Sequence, residues 1–342
     1  MNDPLPRIAV AGAGSIGCFV GGQLHDAARV TLLGRERTRA LLAEYGLLLT
    51  DLDGGELRLE PESLDFATDI KAIESAQLVL VTVKSGDTEA LARQLAPAVS
   101  ADAVVLSIQN GVRNADMLRR HMPKQTVLAG MVAFNVVHRG HGWLHRATSG
   151  SLMVEQHPAL APFLPAFAAA GLPLEQRTDM HEVQWAKMLW NLNNAVNALS
   201  DLPLRDELAR RAYRRCLALL QDEALRALSA ADIRPARLSP LPPGWLPRLL
   251  RAPDLVFRLV ARSLLAIDPL ARSSTWEDLA AGRPTEIEYL NGEVVRLAQA
   301  NGLRAPANAR LIELVRAAEQ GDNRVWHRDD LWRELSQAAA GN

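Results

Sequence analysis

Residues 7–24 of the chain read RIAVAGAGSIGCFVGGQL, an apolar run followed by a glycine-rich turn and a helical pattern. Strand, Gly-x-Gly-x-x-Gly and helix in this order are typical of a dinucleotide-binding turn. Gly12 would permit the tight bend, Gly14 would let the backbone approach a pyrophosphate, and Gly17 would let the helix pack on the strand. The N-terminus of the predicted helix favours an anion. We therefore predict a phosphate-binding site at five residues: Gly12, Gly14, Ser15, Ile16 and Gly17.

The length and composition of the chain restrict its class. At about 150 residues per domain, 342 residues suggest two domains. The chain is 48% hydrophobic and 23% charged, as globular proteins are. Its 38 basic and 39 acidic residues give no electrostatic basis for binding nucleic acid or a membrane surface. The composition therefore predicts a globular protein without either partner.

The cysteine content and the apolar segments indicate a compartment. Cys18 and Cys216 alone cannot form a disulfide framework, so we expect a reducing environment. The N-terminus carries Asp3 and no apolar run, unlike a signal peptide. The longest charge-free apolar segment, residues 156–174, contains four prolines and a glycine, so it is not expected to span a membrane. We therefore expect a cytoplasmic protein.

The rest of the N-terminal half continues the alternation of strand and helix. Three further apolar runs and two helical patterns follow the glycine turn: 29–33, 78–83 and 104–108, and 37–44 and 88–96. Strands that are apolar throughout and alternate with helices predict a parallel sheet covered on both faces. Residues 130–137 and 143–148 flank a glycine-containing turn and predict a hairpin appended to that sheet.

The pattern becomes helical near residue 177. Asp179 and Glu182 form a potential capping box, and four helical segments follow: 185–199, 205–230, 285–300 and 306–320. The sequence thus predicts an α/β fold class, with an N-terminal Rossmann-like parallel-sheet dinucleotide-binding domain in residues 1–176. A C-terminal all-helical domain that binds substrate and carries catalysis is predicted in residues 177–342.

The residues after the second strand indicate which cofactor is bound. An acid at this place would bind the ribose 2′-hydroxyl and repel a 2′-phosphate. The chain has Arg35 here, whose guanidinium suits a phosphate. We therefore predict NADP (NADPH) rather than NAD. Glu36 would take the part of the acid if the turn were displaced by one residue.

Lys84 and Asn110 directly follow two successive predicted strands. In open parallel sheets, ligands bind outside the carboxyl ends of the strands. We predict that both side chains contact the cofactor and that Asn110 also contacts substrate. The alternatives are a lysine in solvent and an ordinary Asn-Gly turn.

Residues 185–199 form an apolar helical pattern that nevertheless holds four asparagines and one lysine. At helical spacing Lys187, Asn191 and Asn194 share one stripe. Because buried polar groups are costly without partners, the stripe indicates either a structural polar network or the wall of an active site. Further along, Ser274 precedes the segment PTEIEYLNG (residues 284–292). Its acids Glu286 and Glu288 either face a cleft or favour a helix dipole.

Taken together, these motifs resemble the 2-dehydropantoate 2-reductases (ketopantoate reductases) from residue 8 to about residue 317. The resemblance implies that Lys187 is the general acid and that Glu286, rather than Glu288, binds the substrate hydroxyl. It places Ser274 on the substrate, and Asn110 and Asn191 at the same site. It also implies NADPH as the cofactor. The catalytic set is therefore predicted as Lys187, Asn191 and Glu286, and the substrate-binding set as Asn110, Asn191, Asn194, Ser274 and Glu286.

The implied reaction is the NADPH-dependent reduction of a small 2-oxo acid, 2-dehydropantoate to pantoate, in pantothenate biosynthesis. A β-hydroxyacid dehydrogenase and a non-catalytic NADP(H) sensor are the alternatives. The chain departs from the family because Ala195-Val196 replace an asparagine and a proline, while Asn194 stands nearby. The segment 234–270 and the C-terminal tail also look longer than usual.

Two further expectations concern assembly and metals. The proline-rich segment 234–253 suits either a lid or a dimer contact, and a homodimer is one expectation. His138, His141 and His145 are loosely spaced and lack a nearby acid or thiol cluster. We therefore predict no metal site.

Overall fold

The computed structural model describes residues 5–260 and 270–341. The chain forms two compact units, Met1–Met180 and His181–Asn342. The division predicted from the sequence, after residue 176, falls four residues before this boundary.

The N-terminal unit is an α/β structure. Its described strands are β1 Arg7–Ala11, β2 Arg29–Leu33, β3 Leu47–Thr50, β4 Glu56–Leu59, β5 Asp65–Ala67, β6 Leu78–Val81, β7 Val104–Ser107, β8 Thr126–Val132, β9 Val136–His138, β10 Trp143–Arg146, β11 Leu152–Glu155 and β12 Leu174–Arg177. Its described α-helices are α1 Ser15–Gln23, α2 Glu36–Tyr45, α3 Thr88–Ala98, α4 Asn114–His121 and α5 Leu164–Ala169. Short 3₁₀ turns are formed by Pro61–Ser63, Ile70–Ile73, Ser85–Asp87 and Pro158–Leu160.

The predicted parallel sheet is confirmed, and it is the larger of the two sheets described. Eight strands lie in the order β12-β11-β8-β7-β6-β1-β2-β5, and only the β8–β11 pair is antiparallel. Strand β1 explains the apolar runs, because Ile8 and Val10 pack in one hydrophobic core while Ala9 and Ala11 pack in another. Both faces of the strand are therefore buried, as a parallel sheet between helices requires.

The predicted hairpin exists, but its predicted place was wrong. Strands β9 and β10 pair antiparallel around the turn that contains Gly140 and Gly142, yet they belong to a separate four-stranded sheet, β4-β3-β10-β9. Strand β10 pairs in parallel with β3, whose Leu47 and Leu49 are buried and hold the hairpin there. The predicted strand 130–137 is in fact two strands, β8 in the large sheet and β9 in the small one.

The C-terminal unit is helical, as predicted. Its described α-helices are α6 Met180–Asn191, α7 Asn193–Ser200, α8 Leu204–Leu208, α9 Arg211–Ala230, α10 Leu246–Arg251, α11 Asp254–Val260, α12 Ser274–Ala280, α13 Asn291–Ala300, α14 Pro306–Glu319 and α15 Arg328–Ala340. Short 3₁₀ turns are formed by Pro243–Trp245 and Ile287–Tyr289. Helix α6 begins at the boundary between the units.

Helix α9 is the central element of this unit, and its buried positions repeat at helical spacing, as in Tyr213, Leu217, Leu220 and Ala224. It packs against α10, α13 and α15. The guanidinium of the fully buried Arg214 donates hydrogen bonds to the carbonyls of three residues and to one carboxylate: Leu208, Leu250, Ala252 and Asp254.

Three of the predicted helices were wrong in extent. The helix predicted over 205–230 is broken at Arg210, where the backbone is extended and Arg214 caps the last carbonyl of α8. The helix predicted over 285–300 begins only at Asn291, because Leu290 has a non-helical backbone. The helix predicted over 185–199 is interrupted at Leu192. The tail forms α15, which the sequence did not predict because only Leu331 and Leu335 mark its buried face.

Residues 5–260 and 270–341 contain neither a membrane-spanning helix nor a cluster of metal-binding side chains. No helix in this part of the chain is long and apolar enough to cross a membrane. The same residues contain no group of three or more His, Cys, Asp or Glu side chains arranged to hold a metal ion. Of the segment 234–270, noted for its length, residues 261–269 lie outside the described residues.

Candidate active site

The glycine turn after β1 has a backbone that other residues would strain. Gly12 has φ +122°, and its N–H and that of Ala13 both donate to the Leu33 carbonyl at 3.0 Å. A Cβ added to Gly12 would lie 2.6 Å from the backbone nitrogen of Val83. The turn is therefore held against the ends of β2 and β6, and only glycine fits there.

The other two glycines of the motif have different surroundings. A Cβ on Gly17 would lie 2.2 Å from the carbonyl oxygen of Gly12, so this glycine sets the close packing of α1 on the turn. A Cβ on Gly14 would meet nothing within 4 Å, because this exposed residue faces open space. Ser15 and Ile16 form the first turn of α1, and no side chain caps that helix. Open backbone at an uncapped helix N-terminus suits a phosphate group.

Arg35 stands at the end of β2, at the N-cap of α2. Its guanidinium forms an ion pair with Asp87 at 3.1 Å, and the two side chains are 70% and 54% exposed. Glu36, the alternative group at this turn, instead pairs with Arg39 at 2.6 Å. Both side chains are exposed after β2, at 70% for Arg35 and 64% for Glu36, and each is held in an ion pair.

Lys84 and Asn110 follow β6 and β7, at the same edge of the sheet. Lys84 is exposed and precedes the 3₁₀ turn Ser85–Asp87. The backbone carbonyl of Asn110 accepts hydrogen bonds from Ser85 Oγ at 3.1 Å and from Asn114 Nδ2 at 2.5 Å. These bonds tie the two strand-end loops together beside the glycine turn.

A buried polar network beneath these loops was missed in the sequence. Gln109 Nε2 donates to the Val83 carbonyl at 2.9 Å and to Thr88 Oγ1 at 2.7 Å. Ser107 Oγ donates to Gln109 Oε1, and Thr88 Oγ1 donates to Asn114 Oδ1. The available signal was the polar pair Gln109-Asn110 shortly after the apolar strand β7. Only Asn110 of this pair was predicted as a site residue.

In the C-terminal unit, Lys187 lies on α6 one turn before the break at Leu192. Its side chain is partly buried. At the break, the Leu189 carbonyl accepts a hydrogen bond from Nε2 of Gln221, on α9, at 2.9 Å. The polar stripe is therefore carried by two helical segments rather than by one straight helix.

Lys187 is electrostatically coupled to Glu286. Burial lowers the pKa of Lys187 from 10.5 to about 8, and the negative charge of Glu286 opposes this change. Glu286 is the N-cap residue of the 3₁₀ turn Ile287–Tyr289 and is partly buried. An ammonium group whose pKa is lowered by burial and raised by a carboxylate is typical of a tuned proton donor.

The structure distinguishes Glu286 from its neighbour Glu288. The Glu288 carboxylate pairs with Arg316 at 2.5 Å and lies 3.7 Å from Arg296. Arg296 also donates to the backbone carbonyl of Glu288. Glu288 is thus engaged with arginines, whereas Glu286 is the acid whose charge reaches Lys187.

The four asparagines of α6 and α7 separate into two kinds. Asn193 Nδ2 donates to the buried Glu207 at 2.8 Å, and Asn197 Oδ1 accepts the N–H of Ser273 at 2.9 Å. Within the described residues, the side-chain amides of Asn191 and Asn194 have no hydrogen-bond partner, and both are partly buried. Both sequence-based alternatives therefore apply, with Asn193 and Asn197 in a structural network and the other pair available to a ligand.

The two serines before α12 also differ. Ser273 is buried and caps the helix, because its Oγ accepts the N–H of Trp276 at 3.2 Å and donates to the Asn194 carbonyl at 2.8 Å. Ser274, the predicted substrate contact, is the exposed first residue of α12. Ser274 is therefore held next to Asn194 through its neighbour.

Two buried groups near this site were not selected from the sequence. Burial raises the pKa of Glu207 to about 8, against the hydrogen bonds from Asn193 and Asn197. Asn291 donates to Asn308 at 3.0 Å and is fully buried. Neither has a sequence signal that separates it from surface polar residues, since the hydrogen-bond partners stand 14 and 17 residues away in the chain, beyond the reach of a local pattern.

The chain matches the two models of one protein family. The model of ketopantoate reductase PanE/ApbA matches residues 8–159, and the model of the ketopantoate reductase PanE/ApbA C terminal matches residues 179–319. The 2-dehydropantoate 2-reductase of Halobacterium salinarum is 30% identical over 322 residues, covering 92% of this chain and 99% of the relative. That of Mycobacterium tuberculosis is 27% identical over 316 residues, covering 92% and 98%.

Solved structures give the same result for the fold. A PanE/ApbA family ketopantoate reductase from Ralstonia eutropha matches with a TM-score of 0.78 and 31% identity, covering 92% of this chain and 99% of that one. D-mandelate dehydrogenase in complex with NADH and anilino(oxo)acetate matches with a TM-score of 0.75 and 21% identity, with the same coverage. From the two family models and the relatives that match over nearly their whole length, the chain belongs to the ketopantoate reductase PanE/ApbA family of oxidoreductases.

Proposed function

We propose that this protein catalyses the NADPH-dependent reduction of a small 2-oxo acid to the 2-hydroxy acid, with 2-dehydropantoate as substrate and pantoate as product. The observation that carries the proposal is the coupling of Lys187 to Glu286 in a chain that belongs to this family. Membership of the family supports the reaction class, and Lys187 is the proton donor that this reaction requires. The product is a precursor for pantothenate biosynthesis.

The N-terminal unit fits a dinucleotide. Gly12 supports the turn, Gly14 leaves open space for a pyrophosphate, and α1 presents an uncapped N-terminus. Arg35 is accessible to a 2′-phosphate, which supports NADP rather than NAD. Lys84 and Asn110, at the ends of adjacent strands, are the further candidates for contacts with the cofactor. When bound, NADPH supplies the hydride that reduces the keto carbon.

Lys187 supplies the proton. As the keto carbon is reduced, its oxygen gains negative charge, and the ammonium Nζ stabilises that charge and transfers a proton to it. The product is then a neutral hydroxyl group, and Lys187 is left as an amine that recovers a proton from water. With a pKa of about 8, most of the lysine is protonated at neutral pH and donates its proton more readily than an ordinary lysine does.

The remaining residues hold the substrate. Asn191 and Asn194 offer side-chain amides that have no partner among residues 5–260 and 270–341, and these amides orient the carbonyl and the lysine. Ser274 binds the carboxylate of the acid, and Glu286 accepts a hydrogen bond from a distal hydroxyl group. Because Glu286 also favours the charged form of Lys187, substrate recognition and proton donation share one carboxylate.

The proposal includes a cytoplasmic homodimer. Both cysteines are buried free thiols, and free thiols are the usual state of cysteine in a reducing compartment. Leu255 and Leu259 of α11 are 82% and 80% exposed, which supports a contact with a second copy. Light scattering of the purified protein should give twice the monomer mass of 37.3 kDa. A mass equal to the monomer would remove the dimer from the proposal.

The proposed reaction is tested by following the oxidation of NADPH with a panel of 2-oxo acids that includes 2-dehydropantoate. We expect turnover with 2-dehydropantoate, and turnover with NADH that is lower at equal concentration. Oxidation of 3-hydroxy acids without reduction of any 2-oxo acid would instead indicate a β-hydroxyacid dehydrogenase. Binding of NADPH without turnover on either panel would indicate a sensor and would refute the proposal.

A further inference from the structure

Asp201 closes α7 with an unusual backbone and a crowded carboxylate. It is the C-cap residue of α7 with φ +53°, a left-handed conformation that is uncommon for residues other than glycine. Its Oδ1 accepts a hydrogen bond from Trp276 Nε1 at 2.6 Å. The same oxygen lies 3.4 Å from Arg272 and 3.3 Å from Arg324. Such a conformation persists where the surrounding contacts determine it.

The partners of Asp201 come from two separate parts of the chain. Arg272 and Trp276 belong to the segment that forms α12, whereas Arg324 follows α14, beyond residue 319, where the match to the family models ends. The guanidinium carbons of Arg272 and Arg324 lie 4.1 Å and 5.2 Å from the centre of the Trp276 ring. One carboxylate therefore lies beside two cations gathered on one aromatic ring and balances the charge of one of them.

The C-terminal segment is attached to α7 at a second point. The N–H of Trp326 donates to the Leu199 carbonyl at 2.7 Å, and the Tyr213 hydroxyl donates to the Trp326 carbonyl at 2.9 Å. These bonds fix the backbone two residues after Arg324. The backbone that carries Arg324 is consequently fixed close to Asp201.

Ser274 stands in the sequence between two residues that are bonded to α7 and its C-cap. Before it, Ser273 donates its N–H to Asn197 Oδ1 and its hydroxyl to the Asn194 carbonyl. Trp276 is two residues after Ser274 and is held by Asp201. The first turn of α12 is thus attached to α7 both before and after the proposed substrate contact.

We infer that Asp201 and Arg324 are positioning residues that fix Ser274 for the substrate carboxylate. The inference rests on the proposed function, since it requires Ser274 to bind substrate. The side chains of Asp201 and Arg324 are 41% and 30% exposed, so their ion pair contributes modestly to overall stability. Its main effect is to hold Trp276, and with it the start of α12. The C-terminal extension thereby becomes part of the substrate-binding structure of this chain.

The decisive variant is Asp201→Asn, because asparagine tolerates the left-handed conformation but carries no charge. Without the carboxylate, Arg272 and Arg324 repel each other across the Trp276 ring. We expect the KM for the 2-oxo acid to rise about tenfold, the size of one lost hydrogen bond to a charged group. The kcat and the dissociation constant of NADPH should stay within about twofold, because Lys187 and the glycine turn are unchanged.

Arg324 gives an independent pair of variants. Arg324→Ala should raise the KM for the 2-oxo acid less than Asp201→Asn does, and Arg324→Lys should restore most of the loss, since it keeps the charge beside Asp201. Arg333→Ala is the matched control, because Arg333 lies in the same C-terminal extension and pairs only with the exposed Asp330 among the described residues. Circular dichroism of every variant verifies that it is folded. If Asp201→Asn does not fold, the Arg324 pair decides.

A double-mutant cycle separates positioning from general loosening. If Asp201 acts through Ser274, Asp201→Asn should not raise the KM further in a Ser274→Ala background. Full additivity of the two effects, or a KM unchanged in Asp201→Asn while the wild type reduces the 2-oxo acid, would overturn the inference and leave the proposed function intact. A wild-type enzyme that reduces no 2-oxo acid would overturn both.

Discussion

Replacing Lys187 with methionine should make the folded protein more stable. Burial outweighs the attraction of Glu286 and lowers the pKa of Lys187 from 10.5 to about 8. The difference corresponds to about 3 kcal/mol of unfavourable interaction of the charged form at neutral pH. Methionine has a similar length and no charge, but its introduction leaves Glu286 without the lysine. We therefore expect the free energy of unfolding at pH 7 to rise by about 1–3 kcal/mol.

The pH dependence of this gain is a further part of the prediction. Since the folded-state pKa of Lys187 is lowered, the unfolded chain binds more protons between about pH 8 and 10.5. The wild type therefore gains stability relative to Lys187→Met as the pH rises through this window. The advantage of the variant should be complete below pH 8 and should disappear above about pH 10.5, where both states carry a neutral lysine.

Urea denaturation followed by circular dichroism at pH 7, 9 and 10.5 measures the gain. Lys124→Met is the matched control, because Lys124 is exposed and its replacement should change the free energy of unfolding by less than about 0.5 kcal/mol. A Lys187→Met protein that is less stable than the wild type at pH 7 would refute the reasoning, since it would mean that the ammonium group stabilises the fold.

Two other predictions concern turnover and cofactor choice. The kcat for the 2-oxo acid should fall above about pH 8 as Lys187 loses its proton. Glu286→Gln should move this fall to lower pH, because it removes the charge that raises the pKa of Lys187. Glu288→Gln should leave the fall where it is, because Glu288 pairs with Arg316. Unshifted profiles in Glu286→Gln would contradict the coupling. Arg35→Ala should raise the KM for NADPH by about 10- to 100-fold and leave that for NADH unchanged, while Arg37→Ala should alter neither. Equal losses for both nucleotides would rule out a role of Arg35 in binding the 2′-phosphate.

Local signals in the sequence were enough for the glycine turn and the elements on either side of it. The strand, glycine turn and helix of residues 7–24 depend on residues that are neighbours in the chain, and the structure has β1 and α1 at those places. The small second sheet was missed because β3 and β4 are only four residues each, and β3 pairs with β10 from about ninety residues away. Such pairing leaves no local pattern.

In the helical half, the sequence predicted which segments are polar. It did not predict which of their side chains belong to a structural network and which are available to a ligand. No glycine or proline marks the break at Leu192. The Leu189 carbonyl at the break accepts a hydrogen bond from Gln221, which belongs to α9 and stands 32 residues later in the chain. The roles of the asparagines were equally hidden. Asn193 and Asn197 look like Asn191 and Asn194 in the sequence, and only their partners Glu207 and Ser273 distinguish them.

The most direct test of proton donation by Lys187 is the kcat of Lys187→Met for 2-dehydropantoate at pH 7 and saturating NADPH. The same sample is titrated with NADPH, and the binding is read from nucleotide fluorescence. We predict a dissociation constant for NADPH within about twofold of the wild-type value and a kcat lowered by about 10²–10⁴, the contribution expected of a general acid. A kcat within about threefold of the wild type, with NADPH bound, would contradict the assignment of Lys187.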